Sequence, residues 1–117
     1  MEETLSLVKK TIVNKESMHH VVVNAGKIVQ MQSDEQLRES VNNSDIINAD
    51  GQAVVWAAKA LNKPLKERVA GIDLMENLVE LAYKNNYKIF LFGAKEEVVK
   101  KVITIYKPTK GVAVIFI

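Results

Sequence analysis

The sequence contains no cysteine, only two prolines and few aromatic residues, which make up 6% of its 117 residues. Without cysteine, a disulfide framework, a thiolate metal site and a thiol nucleophile are all excluded. No apolar run approaches the roughly 18 residues that a transmembrane helix needs. The acidic start MEETL is also unlike the basic opening of a secretory signal. We therefore expect a cytoplasmic protein without a membrane span.

The composition is that of a soluble globular protein, with 48% hydrophobic and 26% charged residues. A chain of this length is expected to form a single domain over residues 1–117, with one core. The net charge of +2 is uneven, because residues 1–50 carry −3 and residues 51–117 carry +5. A mildly basic second half suits an anionic ligand or membrane surface, and equally an ordinary solvated surface. Nucleic acid is not expected, since the chain has two arginines and no aromatic residue within a basic cluster.

Hydrophobic patterning predicts helices that alternate with short apolar strands. The predicted strands cover residues 20–24, 45–49, 88–92 and 112–117. Such spacing indicates βαβ units and a parallel sheet, and runs such as VVV and IFLF fit strands that are covered on both faces. Right-handed crossovers bring the carboxyl ends of the strands to one edge, where open α/β sheets bind ligands. That edge collects Asn24, Asp50-Gly51 and Gly93-Ala94.

Each chemically interesting residue also has an ordinary structural interpretation. Asp50 is either the N-cap of the helix after it or a general base. Gly93 forms either a tight turn or a close approach of the backbone to phosphate, and Arg68 either a surface ion pair or a phosphate clamp. His19-His20 is read as a solvated strand entry, because adjacent strand side chains point to opposite faces and do not clasp one metal ion. The apolar stretch over residues 52–61 is expected to form a buried helix with Trp56 in the core. Ala25-Gly26 is expected to form a turn after the first strand, and Asp73 is a candidate cap of the helix that begins near Leu74.

Four pieces of the sequence together resemble the TagA/WecG/CpsF family of bacterial glycosyltransferases. They are Asn24 in VNAGKIV, Asp50-Gly51 after the second strand, the block PLKERVAGIDL over residues 64–74, and the strand end LFGA over residues 91–94. They occur in the family's order and spacing within residues 20–105. The resemblance implies an α/β fold, a Rossmann-like three-layer sandwich with a mostly parallel sheet that is incomplete relative to the family.

The resemblance further implies transfer of N-acetylmannosamine, or its uronic acid, from the UDP-sugar to N-acetylglucosamine on undecaprenyl diphosphate. This inverting reaction belongs to the synthesis of wall teichoic acid or surface polysaccharide, and needs neither a metal nor another cofactor. By the family motif, Asp50 is the catalytic base and Arg68 holds the donor diphosphate. The remaining substrate-binding positions are Asn24, Asp73, Gly93 and Ala94.

The sequence departs from the family pattern in three respects. Val22 stands where members often carry threonine, the usual strand before the first helix is absent, and members run to about twice this length. Residues 1–117 therefore match the N-terminal portion of the family domain, without its C-terminal part and membrane-docking segment. The alternative to an active transferase is a catalytically silent nucleotide-sugar-binding or assembly module. A flavodoxin-like signalling domain shares the alternation, but no acidic cluster gathers at the strand ends.

Two further expectations concern the surroundings of the protein. Full-length members contact the membrane peripherally, so the expected location is the cytoplasmic, inner face of the bacterial cell membrane. The terminal strand over residues 112–117 would leave an exposed sheet edge, from which we expect a homo-oligomer.

Overall fold

The computed structural model describes the backbone of residues 1–110 and 114–116 and the side chains of residues 1–106. The chain divides into two compact units, Met1–Leu74 and Met75–Ile117. The elements are α1 (Glu2–Val13), β1 (His20–Val23), α2 (Ala25–Met31), α3 (Glu35–Asn42), β2 (Ile46–Ala49), α4 (Gln52–Ala60), α5 (Gly71–Lys84), β3 (Ile89–Leu91), α6 (Glu96–Lys110) and β4 (Val114–Phe116).

In the first unit, β1 and β2 pair in parallel, and α2 and α3 form the connection between them. The register sets Val23 opposite Ala49, and Asp50 continues the ladder by donating its N–H to the Val23 carbonyl at 2.8 Å. Both strands therefore end at the same edge, which brings the two residues that follow them, Asn24 and Asp50, into neighbouring positions.

The core of the first unit is built from small and medium apolar side chains: Val23, Val41, Ala49, Val69 and Leu74. Val69 is the most enclosed of them, with 1% of its surface exposed. Its N–H also donates to the Ala49 carbonyl at 2.9 Å, so the segment that precedes α5 is fastened along the end of β2.

In the second unit, β3 and β4 form another parallel pair, with α6 between them in the chain. Buried side chains in this unit come from α5 and α6 and are Val79, Ala82 and Val99. The fourth strand was predicted over residues 112–117; β4 occupies Val114–Phe116, and the other residues of that prediction lie outside the described part.

The chain is thus α/β with parallel strand pairs, an incomplete Rossmann-like fold, as the sequence predicted. The prediction that α4 is buried is wrong: none of its nine residues is buried, and Trp56 is 64% exposed. An apolar composition allows a helix to be buried, but it does not determine whether another element packs against that helix.

Another difference concerns Ala25-Gly26, which the sequence predicted as a turn and which instead forms the first turn of α2. The Asn24 side chain caps that turn, so the helix starts at once. Within the described residues, we find no helix that combines the length and the apolar character needed to cross a bilayer.

Candidate active site

Asp50 stands immediately after β2 and its carboxylate contacts two donors from one later segment. Its Oδ1 lies 3.4 Å from Arg68 Nε, and its Oδ2 accepts the Gly71 N–H at 3.1 Å. About a third of the Asp50 side chain (32%) and half of the Arg68 side chain (51%) are exposed. The ion pair is therefore open to a ligand from solvent while its carboxylate is held at both oxygens.

The local chain path explains why these groups meet. The buried Val69 and its hydrogen bond to Ala49 fix the segment beside β2. Arg68 precedes that anchor and Gly71 begins α5 two residues after it, so both reach the first residue beyond β2. Gly71 belongs to the N-terminal turn of a 14-residue helix, where a carboxylate is favoured by the helix dipole and the unpaired N–H groups.

Asn24 occupies the equivalent position after β1. Its Oδ1 accepts the Lys27 N–H at 2.9 Å as the N-cap of α2, while Lys27 Nζ donates to the Val22 carbonyl at 2.8 Å. A Cβ built on Gly71 would lie 3.8 Å from Asp50 Oδ2 and 4.0 Å from Val22 Cγ1. The end of β1, the end of β2 and the start of α5 thus form one polar corner of the first unit.

The second unit has a different kind of site after β3. Gly93 and Ala94 both take positive φ angles, 118° and 56°, which turn the chain sharply before α6. They border a cavity of about 200 Å³ whose remaining lining is apolar: Met75, Leu91, Phe92, Val98, Val99 and Val102. This cavity suits a flat, weakly polar group rather than a charged one.

The two histidines before and in β1 do not converge. His19 Nδ1 lies 3.1 Å from Ser44 Oγ, whereas His20 Nε2 lies 2.5 Å from Asn48 Oδ1. His19 is exposed, as predicted for a solvated strand entry, but His20 is half-buried against its asparagine partner. Among the residues described, no three His, Cys, Asp or Glu side chains come together as a metal site.

The sequence profile of the Glycosyl transferase WecG/TagA/CpsF family matches residues 1–114. The chain belongs to this family. A relative from Staphylococcus aureus strain NCTC 8325 / PS 47 is 44% identical over 62 residues, which are 53% of this chain and 24% of that protein. A relative from strain MRSA252 is 43% identical over 60 residues, 51% of this chain and 24% of that protein.

Both relatives are named N-acetylglucosaminyldiphosphoundecaprenol N-acetyl-beta-D-mannosaminyltransferase. This member of the WecG/TagA/CpsF family thus matches about a quarter of the length of each of these curated relatives. The names describe those proteins, and their activity comes to this chain as a proposal.

Within this family member, the structure brings together some of the residues that the sequence singled out. Asp50 and Arg68 are in contact, and Asn24 lies at the same strand edge. Asp73 lies in the first turn of α5, while Gly93 and Ala94 belong to the second unit.

Two structural predictions about these residues are wrong. Asp73 is not the N-cap of α5, because the helix begins at Gly71 and Asp73 is its third residue. Asp50 does not cap the helix that follows it; the cap position of α4 is Gly51, with φ 102° and no side-chain hydrogen bond. The Asp50 carboxylate instead accepts a helical N–H from Gly71, at the start of α5.

Sequence reasoning missed Gly71 and Lys27 as members of this corner. Gly71 lies inside the block over residues 64–74 that carries the family resemblance, and a glycine two residues before an acidic helix position was an available signal. Lys27 gave no signal, because its contact with the Val22 carbonyl depends on the way that α2 folds back on β1.

Proposed function

We propose that this chain carries the donor and base half of a transferase that moves N-acetylmannosamine, or its uronic acid, from a UDP-sugar. The acceptor is N-acetylglucosamine linked to undecaprenyl diphosphate, and the product feeds wall teichoic acid or surface polysaccharide synthesis. The observation that carries the proposal is the contact between Asp50 Oδ1 and Arg68 Nε at the end of β2. A carboxylate and a guanidinium side by side supply the two functions that this reaction needs.

In the reaction, Asp50 removes the proton from the attacking acceptor hydroxyl. The hydroxyl oxygen forms a bond to the anomeric carbon as the bond from that carbon to the diphosphate oxygen breaks, which inverts the configuration. The electron pair of the broken bond leaves with UDP. Arg68 stabilises the charge that develops on the diphosphate, since a fixed guanidinium matches phosphate geometry and is always protonated.

The other substrate-binding residues have supporting roles in the proposal. Asn24 offers its amide at the edge shared with Asp50. Asp73 shapes the start of α5, and Gly93 and Ala94 border an apolar cavity that suits a nucleobase. No metal or organic cofactor is part of the proposed mechanism.

The proposal also covers the surroundings of the enzyme. A lipid-linked acceptor requires work at the cytoplasmic face of the bacterial membrane, with peripheral contact, and the +5 charge of residues 51–117 suits an anionic lipid surface. We also retain the expectation of a homo-oligomer. The domain assignment, one glycosyltransferase domain over residues 1–117 that is the N-terminal portion of the family domain, is likewise proposed.

The second candidate is a catalytically silent module that binds a nucleotide sugar or assists assembly. The observation in its favour is that the match spans only 24% of the curated relatives. The two candidates share the donor site and differ in turnover, so they separate in an assay for sugar transfer.

The deciding experiment is calorimetric titration of the 117-residue chain with UDP and with UDP-N-acetylmannosamine, followed by a transfer assay with a lipid-diphosphate acceptor analogue. We expect saturable binding that Arg68→Ala weakens. Arg38→Ala is the matched control, because Arg38 is the second arginine of the chain and pairs with Glu35 on α3. Absence of binding to a folded sample contradicts both candidates, and binding without transfer favours the silent module.

A further inference from the structure

The geometry of the contact between Arg68 and Asp50 is that of a weak ion pair, which a ligand can displace. It runs through Nε at 3.4 Å, beyond the usual length of a charge-assisted hydrogen bond, and both side chains are partly exposed. The bond from the Gly71 N–H to the other carboxylate oxygen is shorter, at 3.1 Å, and comes from backbone. The two oxygens of Asp50 are therefore held by one displaceable partner and one fixed partner.

A diphosphate at this corner would compete with the Asp50 carboxylate for the same guanidinium. It carries more negative charge than a carboxylate and accepts two parallel hydrogen bonds from an arginine fork. Arg68 is half exposed and can turn toward such a ligand without breaking a buried contact. Asp50 would stay in place during that exchange, because its Oδ2 remains bonded to the first N–H of α5.

We propose that the nucleoside diphosphate takes Arg68 away from Asp50, so that donor binding releases the carboxylate for proton abstraction. This inference rests on the proposed function and adds regulation to it. In the free protein, Arg68 occupies an oxygen of the base. Once the donor holds Arg68, Oδ1 is free to accept the proton of the acceptor hydroxyl.

Linkage gives the inference a measurable consequence. If Asp50 and the diphosphate compete for Arg68, removal of the Asp50 charge must tighten UDP binding. The expected gain for Asp50→Asn is on the order of fivefold, the effect of one unit charge about 4 Å away in water. The amide oxygen of asparagine still accepts the Gly71 N–H, so the start of α5 is preserved.

The test is a double-mutant cycle with UDP as the probe, measured by calorimetry on the full chain, the two single variants Asp50→Asn and Arg68→Ala, and the double variant. Competition predicts that Asp50→Asn tightens UDP binding in the parent and loses most of that effect when Arg68 is absent. Simple charge repulsion predicts equal tightening in both backgrounds. Asp34→Asn is the matched control: it removes the same charge, and asparagine still caps α3 by accepting the Leu37 N–H.

A second measurement follows the Arg68 side chain directly by NMR. The chain has two arginines, so a nitrogen-labelled sample gives two side-chain Nε–H signals at mildly acidic pH, from Arg38 and Arg68. Saturating UDP should move the Arg68 signal and leave the Arg38 signal in place. Asp50→Asn alone should also move the Arg68 signal, because its carboxylate partner is lost.

The results of these two experiments distinguish a failure of this inference from a failure of the proposed function. Suppose that Arg68→Ala weakens UDP binding but Asp50→Asn leaves it unchanged, or that Asp50→Asn tightens it equally with and without Arg68. Either result contradicts the displacement of Arg68 from Asp50 and still supports the donor site. An Arg68 Nε–H signal that stays fixed at saturating UDP contradicts the displacement too. If UDP binds neither the parent chain nor any variant, the proposed function fails and the displacement of Arg68 fails with it.

Discussion

The chain reaches a glycine with positive φ after both β2 and β3, but the side chains at these two places have opposite chemistry. The φ angles are 102° at Gly51 and 118° at Gly93, although after β3 the next residue, Ala94, also has a positive φ. At β2 the turn follows a carboxylate that holds a guanidinium and a helix N–H. At β3 the turn borders an apolar cavity of about 200 Å³.

Under the proposed function, the two strand ends would serve two different recognition tasks. The end of β2 supplies charge, which suits a diphosphate and a proton transfer. The end of β3 supplies apolar surface, including Phe92 with 87% of its surface exposed, which suits the face of a base. Substitutions at the two ends should therefore separate the chemical step, the binding of phosphate and the binding of nucleobase.

The largest expected effect is on the chemical step. Asp50→Asn should lower sugar transfer by on the order of 10²- to 10⁴-fold, because the general base is lost. Folding, followed by circular dichroism, should be retained. Asp45→Asn is the matched control at the opposite end of β2, where the side chain accepts the His19 N–H at 2.7 Å and an amide can do the same. Unchanged transfer in Asp50→Asn would remove Asp50 from the role of base.

The next largest effect should distinguish the binding of phosphate from the binding of the nucleobase. Phe92→Ala is expected to weaken UDP binding by about 1–3 kcal/mol through lost stacking and to leave pyrophosphate binding unchanged. Arg68→Lys should weaken both ligands, because lysine keeps the charge but lacks the planar fork. The two affinities can be measured by competition calorimetry. Equal losses for UDP and pyrophosphate in Phe92→Ala would contradict the assignment of the apolar cavity to the base.

The requirement for glycine at positive φ can be tested through stability. Gly51→Ala and Gly93→Ala should each lower the free energy of unfolding by about 1–2 kcal/mol, because a Cβ is strained at positive φ. Apart from the neighbouring residues in the chain, no described residue has an atom within 4 Å of either added Cβ, so crowding from the described part does not contribute. Gly26→Ala is the control within α2, where alanine should stabilise by about 0.5–1 kcal/mol. Denaturant unfolding measures all three, and a neutral Gly51→Ala would argue against the turn.

A smaller effect is expected at the end of β1. Asn24→Ala should cost about 1 kcal/mol of stability through loss of the α2 cap, whereas Asn24→Asp should cost little because aspartate caps equally well. If Asn24 also binds substrate, Asn24→Asp will nevertheless weaken UDP binding, since it adds negative charge beside the diphosphate. Thermal unfolding and calorimetry on the same two samples separate the roles, and identical UDP affinity in both would leave capping alone.

The smallest effect concerns the charges of the second unit. A hydrogen bond and the charge of Lys100 lower the pKa of Glu96. The folded pKa lies below the unfolded one, so the pair stabilises at neutral pH, and this contribution fades as pH falls through the folded pKa. In Lys100→Ala, the Glu96 pKa measured by NMR should return upward with almost no change in stability, because both groups are exposed. A fixed pKa would contradict the pairing.

Much of the fold could be predicted because the strands and helices follow local hydrophobic patterns in the sequence. The run VVV before Asn24 and the run IINA before Asp50 are short, apolar and separated by helical sequence, which indicates parallel pairing. The exposure of Trp56 could not be predicted, since composition reports what a helix is able to bury and not what packs on it.

The residues of the candidate site could be predicted from the sequence, but the contacts between them could not. The resemblance placed Asp50 and Arg68 in one site, 18 positions apart in the chain. Their pairing depends on the long-range bond from the Val69 N–H to the Ala49 carbonyl, for which the loop before α5 has no local signature. α5 starts at Gly71, two residues after Val69, so the expected cap at Asp73 was wrong.

Val69 has a consequence for the way in which this site can come apart. Its buried side chain and its hydrogen bond to Ala49 of β2 hold in place the stretch that carries both Arg68 and Gly71. Local unfolding around Val69 would separate both the Arg68 guanidinium and the Gly71 N–H from Asp50 in a single event. The exchange of the Val69 amide hydrogen with solvent deuterium therefore reports the lifetime of the assembled corner, and a bound nucleotide that uses Arg68 should slow it.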